Sequence, residues 1–107
     1  MQQRPLGKSG LWVGRMGLGT MTWGRQTDEY EARDQLAAFL DVGGTLIDTA
    51  DSYAKGVSEE MLGMLIQEFD CRADIVLATK AVQRPDTERR LDASRGHLAS
   101  ALDASLK

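Results

Sequence analysis

The sequence is poor in the residues that cross-link a chain, bind metals or anchor it in a membrane. A single cysteine, Cys71, excludes an intrachain disulfide, and a single histidine, His97, leaves few ligands for a transition metal. No stretch approaches the roughly 18 apolar residues of a membrane span, and the first residues lack the apolar run of a signal peptide. We therefore expect a cytoplasmic, metal-free protein without a membrane partner.

The sequence also lacks a large excess of charge of either sign. The chain has 13 basic and 16 acidic residues, a net charge of -3 and no block of like charge. Nucleic-acid binders and proteins of anionic lipid surfaces usually carry a basic patch, so neither partner is expected. With 107 residues, 42% of them hydrophobic, the chain is long enough for one globular domain spanning residues 1–107. A cytoplasmic enzyme is the simplest class that this composition allows.

The local patterns predict a hairpin followed by strand-loop-helix units. Residues 7–10, Gly-Lys-Ser-Gly, form a turn signal between apolar segments, and residues 15–20 are predicted to form a first core strand. Apolar residues at helical spacing over 32–40 then predict a first helix. Asp28 would cap this helix, and Gly43-Gly44 would stop it.

The second and third units repeat this order. Residues 45–48 and 75–79 predict strands, because both segments are short, apolar and partly β-branched. A second helix is expected to begin at Ser58 and a third at about Asp92. The apolar face of the third helix would consist of Leu91, Leu98, Leu102 and Leu106. This order is typical of an α/β protein with a parallel sheet built by crossover connections.

Three polar residues are expected at one rim of that sheet. Asp48 ends the second strand, Tyr53 lies in the loop after it, and Lys80 ends the third strand. Parallel α/β proteins place active sites at this carboxyl end of the strands. A nearby ammonium lowers the pKa of a phenol from its usual value of about 10, and a carboxylate can hold the ammonium in place. Each residue alone is more often a solvated surface residue, but their joint placement indicates a catalytic group.

Four blocks of the sequence resemble successive signature segments of the aldo-keto reductases. They are residues 17–24 (Gly-Leu-Gly-Thr-Met-Thr-Trp-Gly), 43–53 (Gly-Gly-Thr-Leu-Ile-Asp-Thr-Ala-Asp-Ser-Tyr), 58–60 (Ser-Glu-Glu) and 78–80 (Ala-Thr-Lys). The second block is long and specific, and the four follow the family's order over nearly the whole chain. The resemblance implies a (β/α)8 TIM barrel, of which this chain would supply the N-terminal hairpin and the first three βα units.

The resemblance also implies a reaction. Aldo-keto reductases transfer a hydride from NADPH to an aldehyde or ketone, so NADP(H) is the expected cofactor and a small-molecule carbonyl compound the expected substrate. By matching positions, Tyr53 would donate the proton to the carbonyl oxygen and Lys80 would depress the pKa of Tyr53. Asp48 would pair with Lys80 and also lie close to the nicotinamide ribose.

Further contacts are implied for the loop after the first strand. Thr20 and Met21 would approach the nicotinamide end of the cofactor, and Gln26 resembles a cofactor-contacting glutamine of some family members. Trp23 would line the substrate pocket, although a packed loop aromatic is an equally good interpretation of this residue.

Other parts of the family's machinery are expected after Lys107, because an eightfold barrel takes about 250 residues. They include a fourth catalytic residue, a histidine that ends the next strand, and the contacts to the adenosine phosphate. His97 lies within the third predicted helix and is expected to be a surface or boundary residue instead. The 107 residues alone are thus expected to be inactive, and the choice between NADP and NAD and the oligomeric state stay open.

The sequence is also compatible with three other interpretations. Gly17-Leu18-Gly19 could begin the Gly-x-Gly-x-x-Gly fingerprint of a classical dinucleotide-binding fold, but position 22 is Thr and the loop does not open directly into a helix. A nucleotide-binding regulatory protein on the same fold, like family members that partner ion channels, is the main alternative to an enzyme. A short protein that self-associates to cover an open sheet edge is the third.

Overall fold

The computed structural model describes all 107 residues, and a parallel sheet of three short strands lies at its centre. The strands are β3 (Gly17–Gly19), β4 (Leu46–Asp48) and β5 (Val76–Ala78), in the order β3-β4-β5. In register, Asp48 pairs with Gly19 on one side and with Ala78 on the other. All three strands therefore end at one rim, as the sequence predicted.

An antiparallel hairpin precedes this sheet. It consists of β1 (Gln3–Pro5) and β2 (Trp12–Gly14), and its turn contains Gly7 and Gly10 at φ values of 59° and 83°. The amide of Gly14 donates to the hydroxyl of Thr45 at 2.9 Å, just before β4. This bond attaches the hairpin to the amino-terminal side of the sheet, opposite the rim where the strands end. The predicted N-terminal hairpin is confirmed.

The first helix, α1, spans Glu29–Asp41. Asp28 caps it, because its carboxylate accepts a hydrogen bond from the amide of Glu31 at 2.9 Å. The chain then leaves the helix through Gly43, which has a φ of 80°, where a residue without Cβ is favoured. The predicted cap and stop of this helix are confirmed.

The second helix, α2, spans Val57–Phe69 and follows a 3-10 turn at Tyr53–Gly56. The prediction that Ser58 begins and caps this helix is wrong. The residue at the cap position is Gly56, which has a φ of 96°, and no side chain caps the helix. Ser58 lies one residue inside the helix and is fully buried.

The third helix, α3, spans Arg95–Ser105, later than the predicted start at Asp92. Ser94 caps it by accepting from the amide of His97. Asp92 instead accepts from the amide of Ser94. Hydrogen bonding with the side chain and the backbone of Ser94 lowers the pKa of Asp92 from 3.8 to about 2. The preceding loop also forms a small hairpin that the sequence did not indicate, β6 (Gln83–Arg84) with β7 (Arg90–Leu91).

The hydrophobic core lies between the sheet and the first two helices. Its fully buried members include Leu36 of α1, Ile47 of β4 and Leu65 of α2. The leucines predicted for the face of the third helix do not join this core. Leu102 is 55% exposed and Leu106, just after α3, is 75% exposed, while Leu91 lies in β7 and not in the helix. The helices are also too short or too polar to cross a membrane.

Candidate active site

The structure brings together the three residues that the sequence placed at the rim. Asp48 is the last residue of β4, Tyr53 begins the 3-10 turn after it, and Lys80 follows β5. The Nζ atom of Lys80 donates to Oδ2 of Asp48 at 2.7 Å and lies 5.2 Å from the centre of the Tyr53 ring. One ammonium group thus contacts both a carboxylate and a phenol.

A backbone oxygen completes this arrangement. Nζ of Lys80 also donates to the carbonyl oxygen of Thr49 at 2.9 Å. Sequence patterns cannot reveal this partner, because every residue carries a carbonyl and only the local turn aims it. An ammonium has three donors, so two are occupied and one remains on the side of Tyr53.

The electrostatics of Lys80 keep it charged. Partial removal from water lowers its pKa, but the hydrogen bond with Asp48 and the nearby side chains of Asp48 and Tyr53 outweigh that effect, and the net pKa is raised above 10.5. The two side chains of the ion pair are 51% and 48% exposed. Exposed pairs of this kind contribute about 0–1 kcal/mol to folding. The pair therefore has little structural value and fits a chemical role better.

A cavity of about 540 Å³ opens beside these residues. It combines polar groups with an apolar wall formed by Met21, Ala50 and Val82. The full lining is Met21, Ala50, Asp51, Ser52, Tyr53, Lys80, Ala81, Val82 and Gln83. Met21 lines this cavity, and its predicted cofactor contact stays a prediction. Gln26 is exposed and does not line this cavity, so its predicted cofactor contact stays a prediction.

Asp51 is a member of this cavity that the sequence analysis did not single out. Burial raises its pKa above 3.8, and the nearby carboxylate of Glu59 adds to the shift. Its backbone amide donates to the carbonyl of Lys80 at 3.1 Å, so the two loops are joined at this point. His97 is half-buried away from the ion pair, with Nε2 at 2.6 Å from the carbonyl oxygen of Ala81. Its predicted boundary position is confirmed.

The turn that carries Tyr53 has an uncommon backbone. Ala54 and Lys55 have φ values of 50° and 54°, and Gly56 continues the left-handed run. Residues other than glycine occupy this region at a cost of about 1–2 kcal/mol each. Gly24 lies against this turn: a Cβ atom there would come within 2.7 Å of Val57. The loop after β3 therefore packs directly on the turn that holds Tyr53.

The structure gives no support to the predicted cofactor contact of Thr20, which stays a prediction. Thr20 has no exposed surface, and its polar atoms form hydrogen bonds within the protein. Its amide donates to the carbonyl of Asp48 at 3.0 Å, and its own carbonyl accepts from the hydroxyl of Ser58 at 2.8 Å. In this structure Thr20 therefore joins the strand ends.

Trp23 was predicted either to line a substrate pocket or to be a packed loop aromatic. Its side chain is fully buried in the core, and Nε1 donates to Oε1 of Gln35 on α1 at 2.7 Å. The alternative, a packed loop aromatic, is the one that the structure supports. Periodicity could not decide between them, because the burial of a loop residue depends on which helix packs over it.

The burial of Trp23 gives a stability prediction. Trp23→Ala should lower the free energy of unfolding by about 3–5 kcal/mol, since it removes a large buried side chain and leaves a cavity. Urea unfolding of the full-length protein measures this change. Trp12→Ala is the matched control, because Trp12 is 61% exposed on the hairpin and its loss should change stability by less than about 0.5 kcal/mol. An unchanged midpoint for Trp23→Ala would contradict its place in the core.

A rim that combines a charged lysine, its carboxylate partner and a tyrosine defines an α/β protein equipped for proton transfer beside a ligand cavity. Residues 15–107 match the model of the Aldo/keto reductase family. The chain therefore belongs to the aldo/keto reductase family. Members of this family are oxidoreductases with (β/α)8 barrels, and they generally use a nicotinamide cofactor.

Named relatives agree with this assignment. Over its whole length the chain is 38% identical to the Arabidopsis thaliana protein named "Probable voltage-gated potassium channel subunit beta" and 36% identical to the aldo-keto reductase YhdN of Bacillus subtilis. It spans 33% and 34% of those two proteins. The chain thus covers about a third of the length of the curated relatives it matches.

Solved structures give the same result. The solved structure named "Putative aldo-keto reductase from Pseudomona aeruginosa" aligns with 97% of this chain and 39% of its own, with a TM-score of 0.84 and 40% identity. The holo form of an aldo-keto reductase from Bacillus halodurans aligns with 99% of this chain and 35% of its own, with a TM-score of 0.83 and 34% identity. The hairpin and three βα units described above therefore belong to a (β/α)8 barrel fold.

Proposed function

We propose that this chain supplies Asp48, Tyr53 and Lys80 to an NADP(H)-dependent oxidoreductase that reduces aldehydes or ketones. The observation that carries the proposal is the position of the Lys80 ammonium, which bonds the Asp48 carboxylate at 2.7 Å and lies 5.2 Å from the Tyr53 ring centre. Tyr53 and Lys80 line one cavity, and Asp48 bonds Lys80 beside it. Reduction of a carbonyl requires these three groups on the protein side: a proton donor, a cation and an anchor for the cation.

Tyr53 is the proposed proton donor. As a carbonyl carbon is reduced, its oxygen gains negative charge, and a phenol beside it can deliver a proton. The Lys80 ammonium then stabilises the negative charge left on the phenolic oxygen, since opposite charges at short range attract strongly in a partly enclosed site. Asp48 keeps the lysine pointed at Tyr53, because it holds one of the three ammonium donors.

The described residues fit a nicotinamide cofactor at this rim. Oδ2 of Asp48 bonds Lys80, and the half-exposed carboxylate still has acceptor capacity for a ribose hydroxyl. Met21, Ala50 and Val82 give the cavity an apolar wall suited to a flat ring. When bound, the reduced cofactor supplies the hydride that goes to the carbonyl carbon. We assign NADP(H) on the resemblance of the site residues to those of the family.

The proposed activity is that of a whole barrel. Because the chain covers about a third of its relatives, we propose that further strands supply the remaining catalytic histidine and the contacts to the adenosine phosphate. A small-molecule carbonyl compound is the proposed partner, with no nucleic acid and no membrane. The cytoplasmic location stays a prediction from composition.

A direct assay tests the proposal. The full-length protein is mixed with NADPH and a broad panel of aldehydes and ketones, and loss of nicotinamide absorbance is followed, with NADH in a parallel series. We expect turnover with at least one carbonyl compound, and the parallel series decides between NADPH and NADH. No turnover over the whole panel would contradict the assignment of this protein as an enzyme.

A nucleotide-binding regulatory subunit is the second candidate. It is favoured by the potassium-channel relatives, which are 38% and 36% identical to this chain in Arabidopsis thaliana and Oryza sativa. Such a protein would bind NADPH at the same rim without useful turnover. Tight cofactor binding measured by calorimetry, together with an inactive carbonyl panel, would select this candidate over the enzyme.

A further inference from the structure

The first turn of α2 reaches the ends of all three parallel strands through two consecutive side chains. Ser58 bonds the residues that follow β3 and β4, and Glu59 bonds the residue that follows β5. These strand ends carry the groups that surround the Lys80 ammonium. Both contacts reach residues outside the helix, and these residues lie at the rim.

Ser58 forms a buried hydroxyl cluster with two threonines. Its Oγ donates to the carbonyl oxygen of Thr20 at 2.8 Å, and it lies 2.9 Å from the Thr20 hydroxyl and 3.4 Å from the Thr49 hydroxyl. Ser58 and Thr20 have no exposed surface, and Thr49 is 2% exposed. The same Thr49 offers its carbonyl to Lys80. Thr49 therefore links Ser58 to the Lys80 ammonium.

Glu59 forms the second attachment. Its Oε1 accepts from the hydroxyl of Thr79 at 2.6 Å and from the hydroxyl of Ser105 at 3.0 Å. Thr79 directly precedes Lys80, so this bond fixes the chain where the lysine begins. Ser105 lies at the end of α3, which means that Glu59 also joins two helices at this point.

A packing role alone does not account for these side chains. Burying a hydroxyl is favourable only when its hydrogen bonds are made, and alanine would fill the Ser58 site without that requirement. Helix capping does not account for them either, because α2 has no side-chain cap. Glu60 is equally placed to favour the positive end of the helix dipole, yet it is exposed and bonds no strand end.

We propose that Ser58 and Glu59 are positioning residues, which hold the strand ends so that the Lys80 ammonium stays between Asp48 and Tyr53. For the chemistry they serve, the proposal rests on the proposed function. Backbone bonds also join the strand ends, since Thr20 and Asp51 donate to the carbonyls of Asp48 and Lys80. Those backbone bonds join the loops to one another. The side chains of Ser58 and Glu59 join the same loops to α2.

The test compares variants of the full-length protein. Ser58→Ala and Glu59→Ala should each lower kcat by about 10- to 100-fold, because small displacements of catalytic groups have effects of this size. KM for the cofactor should change less than about threefold, since neither side chain lines the cavity. Glu59→Gln should restore most of kcat, because an amide oxygen accepts from Thr79 as a carboxylate oxygen does.

Matched controls come from the same region. Glu60→Ala removes a neighbouring acidic side chain of the same helical turn, and Ser100→Ala removes an exposed serine of α3. Both should keep kcat within about twofold of the parent. If Glu60→Ala lowered kcat as much as Glu59→Ala, or if Glu59→Gln gave no rescue, the positioning role would be overturned.

A second readout does not depend on turnover. In protein labelled with ¹³C-lysine, the Cε signal of Lys80, assigned with Lys80→Arg, reports the titration of its ammonium. We expect the raised pKa of Lys80 to fall toward its ordinary value in Ser58→Ala and in Glu59→Ala, as the ammonium loses its fixed partners. An unchanged titration in folded variants would overturn the positioning role even if the protein proved to have no reductase activity. Absence of turnover in the parent protein, by contrast, would count only against the proposed function.

Discussion

Tyr53→Phe is expected to abolish useful carbonyl reduction, with kcat falling about 10²- to 10⁴-fold. The substitution removes the hydroxyl that delivers the proton and keeps the ring that lies 5.2 Å from the Lys80 ammonium. Because the cavity wall is preserved, the dissociation constant for NADPH should change by less than about twofold. Steady-state kinetics with an active carbonyl substrate and a fluorescence titration with the cofactor measure the two quantities separately.

Tyr30→Phe provides the control for this experiment. Tyr30 lies on α1 and is 75% exposed, so the same loss of a hydroxyl there should leave kcat unchanged. Near-normal turnover of Tyr53→Phe would show that another group donates the proton. Equal losses of turnover and of cofactor affinity would instead point to a binding role for Tyr53.

Lys80→Met should have an effect of similar size, a fall in kcat of about 10²- to 10³-fold, since it removes the charge that stabilises the phenolate. It also leaves the Asp48 carboxylate without the partner that holds it at 2.7 Å. Folding should be little affected, because both side chains are about half exposed. Kinetics and thermal unfolding of the same preparation distinguish a loss of chemistry from a loss of structure.

Two further variants make the Lys80 experiment specific. Lys8→Met removes an exposed lysine in the turn of the N-terminal hairpin and should have no effect on kcat. Lys80→Arg retains a positive charge, but a planar guanidinium cannot donate to Asp48 and Thr49 as a tetrahedral ammonium does, so it should restore little activity. Full activity of Lys80→Arg would mean that charge alone suffices and that the fixed hydrogen bonds are unnecessary.

Local signals predicted much of the fold. Asp28 precedes a run of apolar residues at helical spacing. Its carboxylate can accept from an unpaired amide of the first helical turn, here that of Glu31, so the predicted start of α1 was correct. The apolar run ending at Ala78 has no polar alternation, as in a parallel strand covered on both faces. Such signals involve neighbours in sequence, and they fix the element independently of the remainder of the chain.

The errors occurred where a residue's role depends on distant partners. Ser58 followed by two glutamates resembles a helix start, but a left-handed Gly56 begins the helix earlier and directs the hydroxyl of Ser58 to Thr20, 38 positions away in sequence. The resemblance placed Trp23 in a pocket, with a packed loop aromatic as an equal alternative, and the structure shows that the packing of α1 encloses it. Neither partner can be identified from periodicity.

The candidate site was predicted better than its surroundings for a related reason. Asp48 and Lys80 each stand at the end of an apolar strand, and parallel strands end at a common rim, so topology alone brings them together. The carbonyl of Thr49 and the attachments from α2 were not foreseen, since they depend on the conformation of the loops. Sequence thus predicts which groups meet, while the loops determine how firmly they are held.

The left-handed turn after Tyr53 has a consequence for the temperature dependence of the proposed reaction. Ala54 and Lys55 occupy a narrow region of backbone space, so few conformations of this loop are open to the folded protein. The ordering of Tyr53 is therefore completed when the chain folds and need not be repeated each time a substrate arrives. Turnover should accordingly have a small unfavourable entropy of activation, with most of its barrier appearing as enthalpy.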